Sequence, residues 1–388
     1  MPPPAADPRP LAILFVTHSF PPAGRPELNE GGMQRVAQEL HRALKQREDV
    51  RLHTFALRTS WKMTHVRMPV FLLRALRQIP KLVRRHEIDV VLFSSMVTAS
   101  LSVRLNERVP AHLATICHGQ DVTLPVGVYQ RFVPKVFDAL DLVMPVSQAT
   151  GEACIERGCV PEKVEVVPNG IRPGRFDSPP SDRRAALSAG FPDLASELSP
   201  EDLLLVSVGR QVERKGFHWF AEHVMPQLPE HVHYWMAGDG PMAEPIDAVI
   251  QATGLGHRVR RLGRVTDDQL QALYTGADLF VMPNIPVPGD MEGFGVVLLE
   301  AGLNGLPSIA ARLEGIRDVI TDGENGYFVE SGNTNDFVRR ITPYLDDRAA
   351  LDRFRTRACQ HVLDTFTWPA IAGRTVDLLN RRFNKSPI

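Results

Sequence analysis

Two glutamates, Glu292 and Glu300, stand eight residues apart at the opening of the apolar run 296–299. If most of that interval is helical, they lie up to ~12 Å apart along the axis, so they cannot share one proton as an acid/base pair. They can instead hold two ends of an extended ligand, and Gly293 and Gly295 would let backbone amides approach its hydroxyls. The alternative is a Glu292 that only favours a helix N-terminus and a Glu300 on the surface, although its apolar neighbours disfavour exposure.

Two cations follow a second apolar run, 203–208. Arg210 and Lys215 belong to the loop 209–216, directly before a helix predicted from Phe217. A guanidinium fork and an ammonium that converge on a helix N-terminus would neutralise a diphosphate. Charged loops are usually only solvated, so the phosphate interpretation depends on the loop's position after a strand.

His118 and several glycines follow other apolar runs. His118 comes directly after 113–117, where it can donate to a sugar hydroxyl or orient an attacking group; the alternative is a structural histidine. Gly31 and Gly32 close the loop 17–30 at the start of a helix, which favours an anion site, although a glycine can also serve only a turn. Weaker candidates are the turns Gly238-Asp239-Gly240 and Gly263-Arg264-Val265.

These residues sit in a chain whose short apolar runs alternate with helical patterns, as in parallel βαβ units. The predicted strands are 11–16, 90–93, 113–117, 142–146 and 164–167, then 203–208, 232–237, 259–262, 279–282, 308–311 and 327–329. The predicted helices include 32–45, 217–228, 296–304 and 368–383. Loops after parallel strands gather at one edge of the sheet, so the candidate residues are expected at ligand-binding edges.

The pattern breaks once, near the middle of the chain. Pro168-Asn169-Gly170 and Pro173 lead into the polar stretch 177–200, which lacks a strong apolar period. We therefore place the linker at 170–180 and predict two doubly wound α/β domains. The first comprises residues 1–173 with the last helix, about 366–388, and the second comprises residues 174–365.

Composition narrows the function classes. A chain of 388 residues with 44% hydrophobic and 23% charged content can bury two cores. With 44 Lys plus Arg against 45 Asp plus Glu, overall charge does not indicate a nucleic-acid partner. Four cysteines without a C-x-x-C pair predict a reducing cytoplasm. The apolar run 11–16 is too short for a signal segment and no run approaches ~20 apolar residues, so we expect neither export nor a membrane span.

The interval 50–86 contains no acidic residue and is strongly basic. Apolar residues interleave its cations, which are Arg51, Arg58, Lys62, Arg67, Arg74, Arg77, Lys81, Arg84 and Arg85. A basic amphipathic element of this kind can lie on an anionic membrane surface. The alternative is a domain helix whose apolar face is core.

Taken together, the order of these pieces resembles family 4 of the retaining glycosyltransferases, which have the GT-B fold, over nearly the whole chain. The most specific element runs from Glu292 through Gly293-Phe294-Gly295 to Glu300 and is similar to that family's E-x7-E motif. The other matching segments are Gly209-Arg210 with Lys215-Gly216, Gly31-Gly32, His118-Gly119, 167–170 and 366–368. The loop 285–291 is longer and richer in proline than is usual in the family.

The resemblance implies a nucleotide-diphosphate sugar, linked to UDP, GDP or ADP, as donor of a hexose-type sugar. Arg210, Lys215 and amides near Gly32 would hold the diphosphate, with Arg214 as a further candidate. The remaining implied donor contacts are Glu292 with Gly293, Phe294 and Gly295 at the sugar, Glu300 at the ribose, Gly263 to Val265 at the base and Gly238 and Gly240 close by. His118 would lie near the acceptor.

The resemblance also implies two Rossmann-like domains with a cleft between them, a C-terminal helix that crosses back to the first domain, and retention of anomeric configuration. The acceptor would be a glycan, glycolipid or lipid-linked intermediate, met in the cytoplasm or at its membrane face. We expect no cofactor and no metal, because no Asp-x-Asp signature follows a strand. An epimerase or phosphorylase on the same architecture, or a non-catalytic scaffold, is the alternative, although the combined residues favour transfer.

Overall fold

The computed structural model describes residues 9–25, 32–173 and 183–383, with only the backbone of Ser19 and Trp61. These residues form two compact units. The first comprises the described residues up to Gly170 together with those from Trp368 onward, and the second runs from Ile171 to Thr367. The unit limits thus lie within three residues of those in the domain prediction.

The first unit is built on a five-stranded parallel sheet with the order β2-β1-β3-β4-β5. Its strands are β1 (Leu11–Phe20), β2 (Val50–Arg58), β3 (Val90–Phe93), β4 (His112–Cys117) and β5 (Leu142–Pro145). Every residue of β3 is buried, as expected for a central strand covered on both faces. The strand order reverses between β1 and β3, which is the usual ligand position in such sheets.

The second unit has a six-stranded parallel sheet with the order β11-β10-β9-β6-β7-β8. Its strands are β6 (Leu203–Val208), β7 (Val232–Ala237), β8 (Val259–Gly263), β9 (Leu279–Met282), β10 (Ser308–Ala311) and β11 (Gly326–Val329). This is the order of a dinucleotide-binding Rossmann sheet, and its reversal lies between β6 and β9. The loops after those two strands carry Lys215 and Glu292.

Helices cover the sheets. In the first unit they are α1 (Gly32–Lys45), α2 (Trp61–His86), α3 (Met96–Ala99), α4 (Ser102–Leu105), α5 (Gln120–Thr123), α6 (Gly127–Asp138) and α7 (Gln148–Glu156). The second unit contains α8 (Arg183–Gly190), α9 (Pro192–Ser196), α10 (Phe217–Trp219), α11 (Ala243–Thr253), α12 (Asp267–Gly276), α13 (Val296–Leu303), α14 (Thr334–Ile341), α15 (Pro343–Asp346) and α16 (Arg348–Thr365). The last helix, α17 (Trp368–Phe383), returns to the first unit and packs on α1.

Short 3-10 segments complete the chain at Pro161–Lys163, Glu213–Lys215, Met225–Gln227, Leu255–His257 and Glu314–Asp318. The window 217–228, predicted as one helix, forms α10, a π-turn at Phe220–Val224 and one of these 3-10 segments. Within the described ranges, no helix has both the length and the apolar character that a bilayer span requires.

Three sequence-based expectations are corrected. The predicted strand 164–167 is not a regular strand. Val164 makes an isolated bridge to Val143, and Glu165 N and Val167 N donate to Val143 O and Pro145 O at 3.0 Å, before the half-exposed edge segment reaches Pro168. The strand β2 was missed because it is an edge strand whose residues are mostly half-exposed, without a clean alternation. The polar stretch after residue 182 is not irregular, since α8 and α9 lie there.

Gly170 offers a test of how the first unit receives its last helix. A Cβ at this position would lie 2.7 Å from Trp368 Cδ2 and 3.1 Å from Trp368 Cα. The backbone would have to shift, so Gly170→Ala should destabilise the protein by about 1–3 kcal/mol in urea unfolding. In the matched control Gly127→Ala, nothing lies within 4 Å of the added Cβ. Equal stability of the two variants would contradict this account of the packing.

Candidate functional site

Three loops at the carboxyl edge of the second sheet are joined by backbone hydrogen bonds. Gly209 N donates to Ala237 O at 3.0 Å, Gln211 N to Asp239 O at 3.0 Å, and Gly238 N to Gly263 O at 2.7 Å. The loops after β6, β7 and β8 therefore form one continuous backbone surface, and it contains the predicted Gly238, Gly240 and Gly263.

Glycine is required at two of these positions. Gly238 has φ +127°, and a Cβ there would lie 1.9 Å from Gly209 O. A Cβ on Gly240 would lie 2.4 Å from Gln211 O. Because neither contact can be relieved by moving a side chain, these glycines allow the loops to approach closely enough to bond.

Glu292 lies at the switch point, in the loop between β9 and α13, and is only 8% exposed. Lys215 Nζ is 2.6 Å from Glu292 Oε2, and Arg214 forms an ion pair with the same oxygen. Arg214 Nε also bonds Asp290 Oδ1 at 3.0 Å. Asn284 donates to Glu292 at 3.4 Å. The structure thus brings the predicted Lys215 and Glu292 together, with Arg214 as a second cation.

The charge of this cluster is set by its ion pairs. Burial by itself raises the pKa of a carboxyl, but Lys215 and Arg214 lower the pKa of Glu292 to about 2. Burial likewise opposes the charge on Arg214, yet Glu292 and Asp290 raise the pKa of its guanidinium. Glu292 is therefore ionised at neutral pH and acts as a hydrogen-bond acceptor rather than a proton donor.

Glu314, which sequence reasoning missed, fixes the Glu292 backbone. Its carboxylate accepts a hydrogen bond from the Glu292 N–H, and Gly315 N donates to Glu292 O at 3.0 Å. Glu314 has φ +46°, a left-handed conformation that is uncommon for a non-glycine residue and typical of functional sites. Burial, with Glu292 nearby, raises the pKa of the Glu314 carboxyl. A carboxylate after a strand is a signal that the sequence did contain.

The motif's other half packs inside the unit. Glu300 is 5% exposed on α13, and Tyr274 donates its hydroxyl to Glu300 Oε2 at 3.0 Å. Glu300 is therefore not a surface residue. The helix begins only at Val296, after Gly295 at φ +76°, so Glu292 to Gly295 form a turn rather than helix. Phe294 is buried as well.

Arg210 is exposed and stands apart from this cluster. Among the residues that the structure describes, its guanidinium makes no hydrogen bond or ion pair, whereas Arg214 is engaged twice. The side chain of Val265 is half-buried beside Gly263. Arg210 is therefore an exposed cation of the loop after β6 whose guanidinium is not engaged by the described residues.

The first unit has its own polar edge, at the carboxyl ends of β3 and β4. His118 Nε2 lies 2.9 Å from Ser94 O, and because a carbonyl only accepts, Nε2 carries the hydrogen. In the tautomer with this hydrogen, Nδ1 is the acceptor nitrogen of the ring. His118 N also donates to Asp121 Oδ1 at 2.8 Å, which fixes the loop. Gly32 begins α1 in this unit, and Gly31 lies outside the described residues.

His18 at the end of β1 was not predicted. It is 7% exposed, and burial with the neighbouring His118 lowers its pKa to about 4, so it is neutral at pH 7. Its Nδ1 has no hydrogen-bond partner within the described part of the chain. Like His118 after 113–117, it follows a predicted apolar run, 11–16, so the same sequence signal was present.

The site in the second unit combines an ionised buried carboxylate, two cations and a backbone surface rich in glycine. Such a set can bind a polyhydroxylated ligand that carries an anionic group. In the described ranges, no group of three or more His, Cys, Asp or Glu side chains is arranged to hold a metal ion.

The two units match two glycosyltransferase family models. The model described as Glycosyl transferases group 1 matches residues 194–361, and Glycosyltransferase Family 4 matches residues 30–175. With the fold, these matches define a glycosyltransferase scaffold. The chain belongs to family 4 of the glycosyltransferases.

Two named proteins are similar to this chain over most of its length. The putative colanic acid biosynthesis glycosyltransferase WcaL of Salmonella typhimurium is 28% identical over 274 residues, which is 69% of this chain and 64% of that protein. The GDP-mannose-dependent alpha-(1-6)-phosphatidylinositol monomannoside mannosyltransferase of Mycolicibacterium smegmatis is 24% identical over 396 residues, covering 95% of this chain and 98% of that protein.

Solved structures show the fold. Anabaena Alr3699/HepE, determined in complex with UDP, superposes with a TM-score of 0.71 at 18% identity, covering 96% of this chain and all of that one. Sucrose-phosphate synthase from Thermosynechococcus elongatus superposes with a TM-score of 0.70 at 19% identity, covering 97% of this chain and all of that one. The predicted GT-B fold class is confirmed.

The depressed pKa of Glu292 predicts a component of acid unfolding. Because its folded-state pKa lies below the ordinary 4.5, ionised Glu292 stabilises the folded protein above that pH. This contribution, on the order of 3 kcal/mol, is lost as pH falls from about 4.5 toward about 2. In urea unfolding between pH 7 and pH 3, Glu292→Gln should therefore show a shallower loss of stability on acidification than the wild type.

The matched control is Glu244→Gln, which removes an exposed carboxylate of the same unit. This control should keep the wild-type dependence on pH. An identical pH dependence in Glu292→Gln and the wild type would show that the ion cluster does not hold Glu292 ionised in solution.

Proposed function

We propose that the chain is a retaining, metal-independent glycosyltransferase that moves a hexose-type sugar from a nucleotide diphosphate to an acceptor hydroxyl. The observation that carries the proposal is the buried cluster of Glu292 with Lys215 and Arg214 at the switch point between β6 and β9. A switch point is where open parallel sheets bind nucleotides. A solved structure of similar fold contains UDP, which supports a nucleotide donor here.

In this proposal the cluster changes partners when the donor arrives. The diphosphate contacts Arg210 and Lys215, which releases Lys215 from Glu292. Glu292 then accepts hydrogen bonds from hydroxyls of the transferred sugar, while Arg214 and Asp290 keep its surroundings neutral. Glu300 contacts the ribose, and the backbone from Gly238 to Gly240 and from Gly263 to Val265 lies beside the base.

The chemistry is substitution at the anomeric carbon. The bond from that carbon to the phosphate oxygen breaks, the acceptor oxygen bonds on the same face, and the acceptor proton passes to the leaving diphosphate. The cations stabilise negative charge that grows on the leaving oxygen, where preorganised charges have their greatest effect. No enzyme carboxylate is needed as a covalent nucleophile. His118 contacts the sugar through Nδ1, its free acceptor.

The donor site is tested by thermal unfolding with UDP, GDP and ADP. A nucleotide that binds the folded state well above its Kd raises the melting temperature. Arg210→Ala and Lys215→Met should each weaken the binding about 10-fold to 100-fold, as expected when a charged hydrogen bond is lost. Methionine keeps most of the volume of the buried lysine stem.

The control is Arg353→Ala, which removes an exposed cation on α16 and should leave the nucleotide shift unchanged. A shift with one nucleotide identifies the base of the donor. The donor proposal is wrong if the wild type shows no shift with any of the three, or if both site variants retain the full shift.

We further propose that the acceptor lies at an anionic membrane surface on the cytoplasmic side, where the enzyme binds through the outer face of α2. Four exposed apolar side chains form one stripe: Met63 (41%), Val66 (68%), Val70 (58%) and Leu73 (58%). Their spacing of three and four residues places them on a single side of the helix.

In this proposal the two interpretations of the basic interval apply to opposite faces of α2. The inner face, with Phe71, Ala75, Ile79 and Val83, is buried in the core of the first unit. At about 100° per residue, this core face lies opposite the exposed stripe. The domain-helix alternative therefore does not account for the outer apolar residues.

The cations of α2 accompany the exposed stripe. All seven are exposed and, among the described residues, form no ion pair: Lys62, Arg67, Arg74, Arg77, Lys81, Arg84 and Arg85. The helix has no acidic residue. Near an anionic leaflet each cation contributes about 1 kcal/mol, and an inserted apolar stripe adds burial.

The four cysteines are unpaired, which supports a reducing compartment.

Membrane binding is tested by sedimentation with vesicles that contain phosphatidylglycerol. The triple variant Val66→Ser, Val70→Ser, Leu73→Ser should lose most of the bound fraction, and the wild type should bind less at high salt because exposed charges are screened. The control Val160→Ser changes an equally apolar exposed residue, 47% exposed, outside α2. Failure of the wild type to bind anionic vesicles at low salt overturns the membrane proposal alone.

A further inference from the structure

A second concavity of about 630 Å³ opens in the second unit, at the carboxyl ends of β10 and β11. Arg312 follows β10 directly, and Glu330 and Ser331 follow β11. Phe328 and Arg340 also line it. Its volume is within the range of small-ligand sites and fits one or two sugar rings. None of these residues has a role in the donor site described above.

The two arginines offer unused donors. Arg312 stacks over Phe328 with its guanidinium carbon 5.3 Å from the ring centroid, and Arg340 stacks over Tyr327 at 4.5 Å. Within the described residues neither guanidinium forms an ion pair or hydrogen bond, and Arg340 Nε is buried without a partner. Stacking holds both groups in place without occupying their N–H donors.

Carboxylates lie beside these donors. Asp322 Oδ1 accepts from Phe328 N at 2.7 Å, and Glu330 Oε2 accepts from Asn333 Nδ2 at 2.9 Å. Each of these bonds uses one oxygen, and a carboxylate can accept about four hydrogen bonds. Asp336, which also lines the cavity, accepts from Glu330 N at 2.8 Å and forms an ion pair with Arg339. Fixed acceptors and fixed donors therefore face the same space.

This balance of charge selects the ligand class. With Asp336 paired to Arg339, two carboxylates face two guanidiniums, and a lining without excess positive charge disfavours a phosphate or sulfate. The guanidiniums likewise disfavour a simple cation. A sugar hydroxyl both donates and accepts, so it can satisfy a carboxylate and a guanidinium at once.

The cavity is connected to the proposed reaction site. Ser331 Oγ donates to Asn284 O at 2.7 Å, and Asn284 Nδ2 donates to Glu292 Oε2 at 3.4 Å. Along the sheet edge, the base-side loops follow β7 and β8, the phosphate cations follow β6, and Glu292 follows β9. The cavity at β10 and β11 comes next, on the sugar side of Glu292.

We infer that this cavity is a saccharide subsite that binds an uncharged part of the glycan acceptor. Arg312 and Arg340 donate to sugar hydroxyls, and Asp322 and Glu330 accept from them. This deepens the proposed function and depends on it for its role in the reaction. The binding itself requires no nucleotide.

Saturation-transfer NMR on the full chain tests the inference with cellobiose, maltose and mannobiose as neutral probes, without nucleotide. Inorganic phosphate and glucuronic acid are the charged probes. We expect a neutral disaccharide to bind, with at least a tenfold weaker affinity in Arg312→Ala/Glu330→Gln. Both changed side chains are exposed, so the fold is retained. Arg340→Ala should weaken binding as well, and the control Arg353→Ala should bind like the wild type.

Three results would overturn the inference: no binding by any neutral probe, unchanged binding in the double variant, or stronger binding of phosphate or glucuronic acid at the same residues. The change in melting temperature that a nucleotide causes, measured on the same protein samples, separates this outcome from failure of the donor site. A protein that shifts with a nucleotide but binds no saccharide disproves only the subsite.

Discussion

The buried ion pairing of Glu292 with Lys215 and Arg214 is the interaction on which the second unit's site depends. A lone carboxylate at this depth would protonate or draw in water, and each cation alone would be equally costly to bury. Together they keep the carboxylate ionised and its oxygens oriented. The loops after β6 and β9 are therefore held in register by charge, at the one place in the sheet where the strand order reverses.

Backbone hydrogen bonds also hold the loops around Glu292 in place. Glu314 and Gly315 bond to the N–H and C=O of Glu292, while Gly209 and Gly238 join the neighbouring loops through main-chain atoms. A backbone that is satisfied in this way loses little entropy when a ligand arrives. The left-handed conformation of Glu314 is retained because its neighbours determine its position, which is how strain persists at binding sites. The resulting surface is rigid where a nucleotide would lie and charged where a phosphate would lie.

Two other surfaces of the protein also present charged side chains, in different arrangements. The cluster around Glu292 has cations that match carboxylates and can exchange them for phosphate. The cavity at β10 and β11 balances two carboxylates against two stacked guanidiniums, which suits hydroxyl groups. On α2, cations without acidic neighbours surround an apolar stripe, which suits a charged interface. The arrangement of the charges, and not their number, separates these three surfaces.

The amino-acid sequence by itself determined the layered architecture and the positions of most strands. The runs 203–208, 232–237 and 279–282 became strands with the predicted limits, because strands buried on both faces must be continuously apolar. Helices 32–45 and 368–383 were equally clear from their apolar period. Because ligands gather at the carboxyl ends of parallel strands, the same pattern also indicated where His118, Lys215 and Glu292 would lie.

Only the tertiary structure decided which of these side chains meet. Whether Arg210 or Arg214 pairs with Glu292, which nitrogen of His118 carries the hydrogen, and that Glu314 bonds to the Glu292 backbone all depend on contacts between residues distant in sequence. Local patterns carry no information about such contacts, since many loop geometries are compatible with one strand order. The edge strand β2 and the two-faced helix α2 were obscured for a related reason: their burial is set by neighbours, and a half-buried element has no strong period of its own.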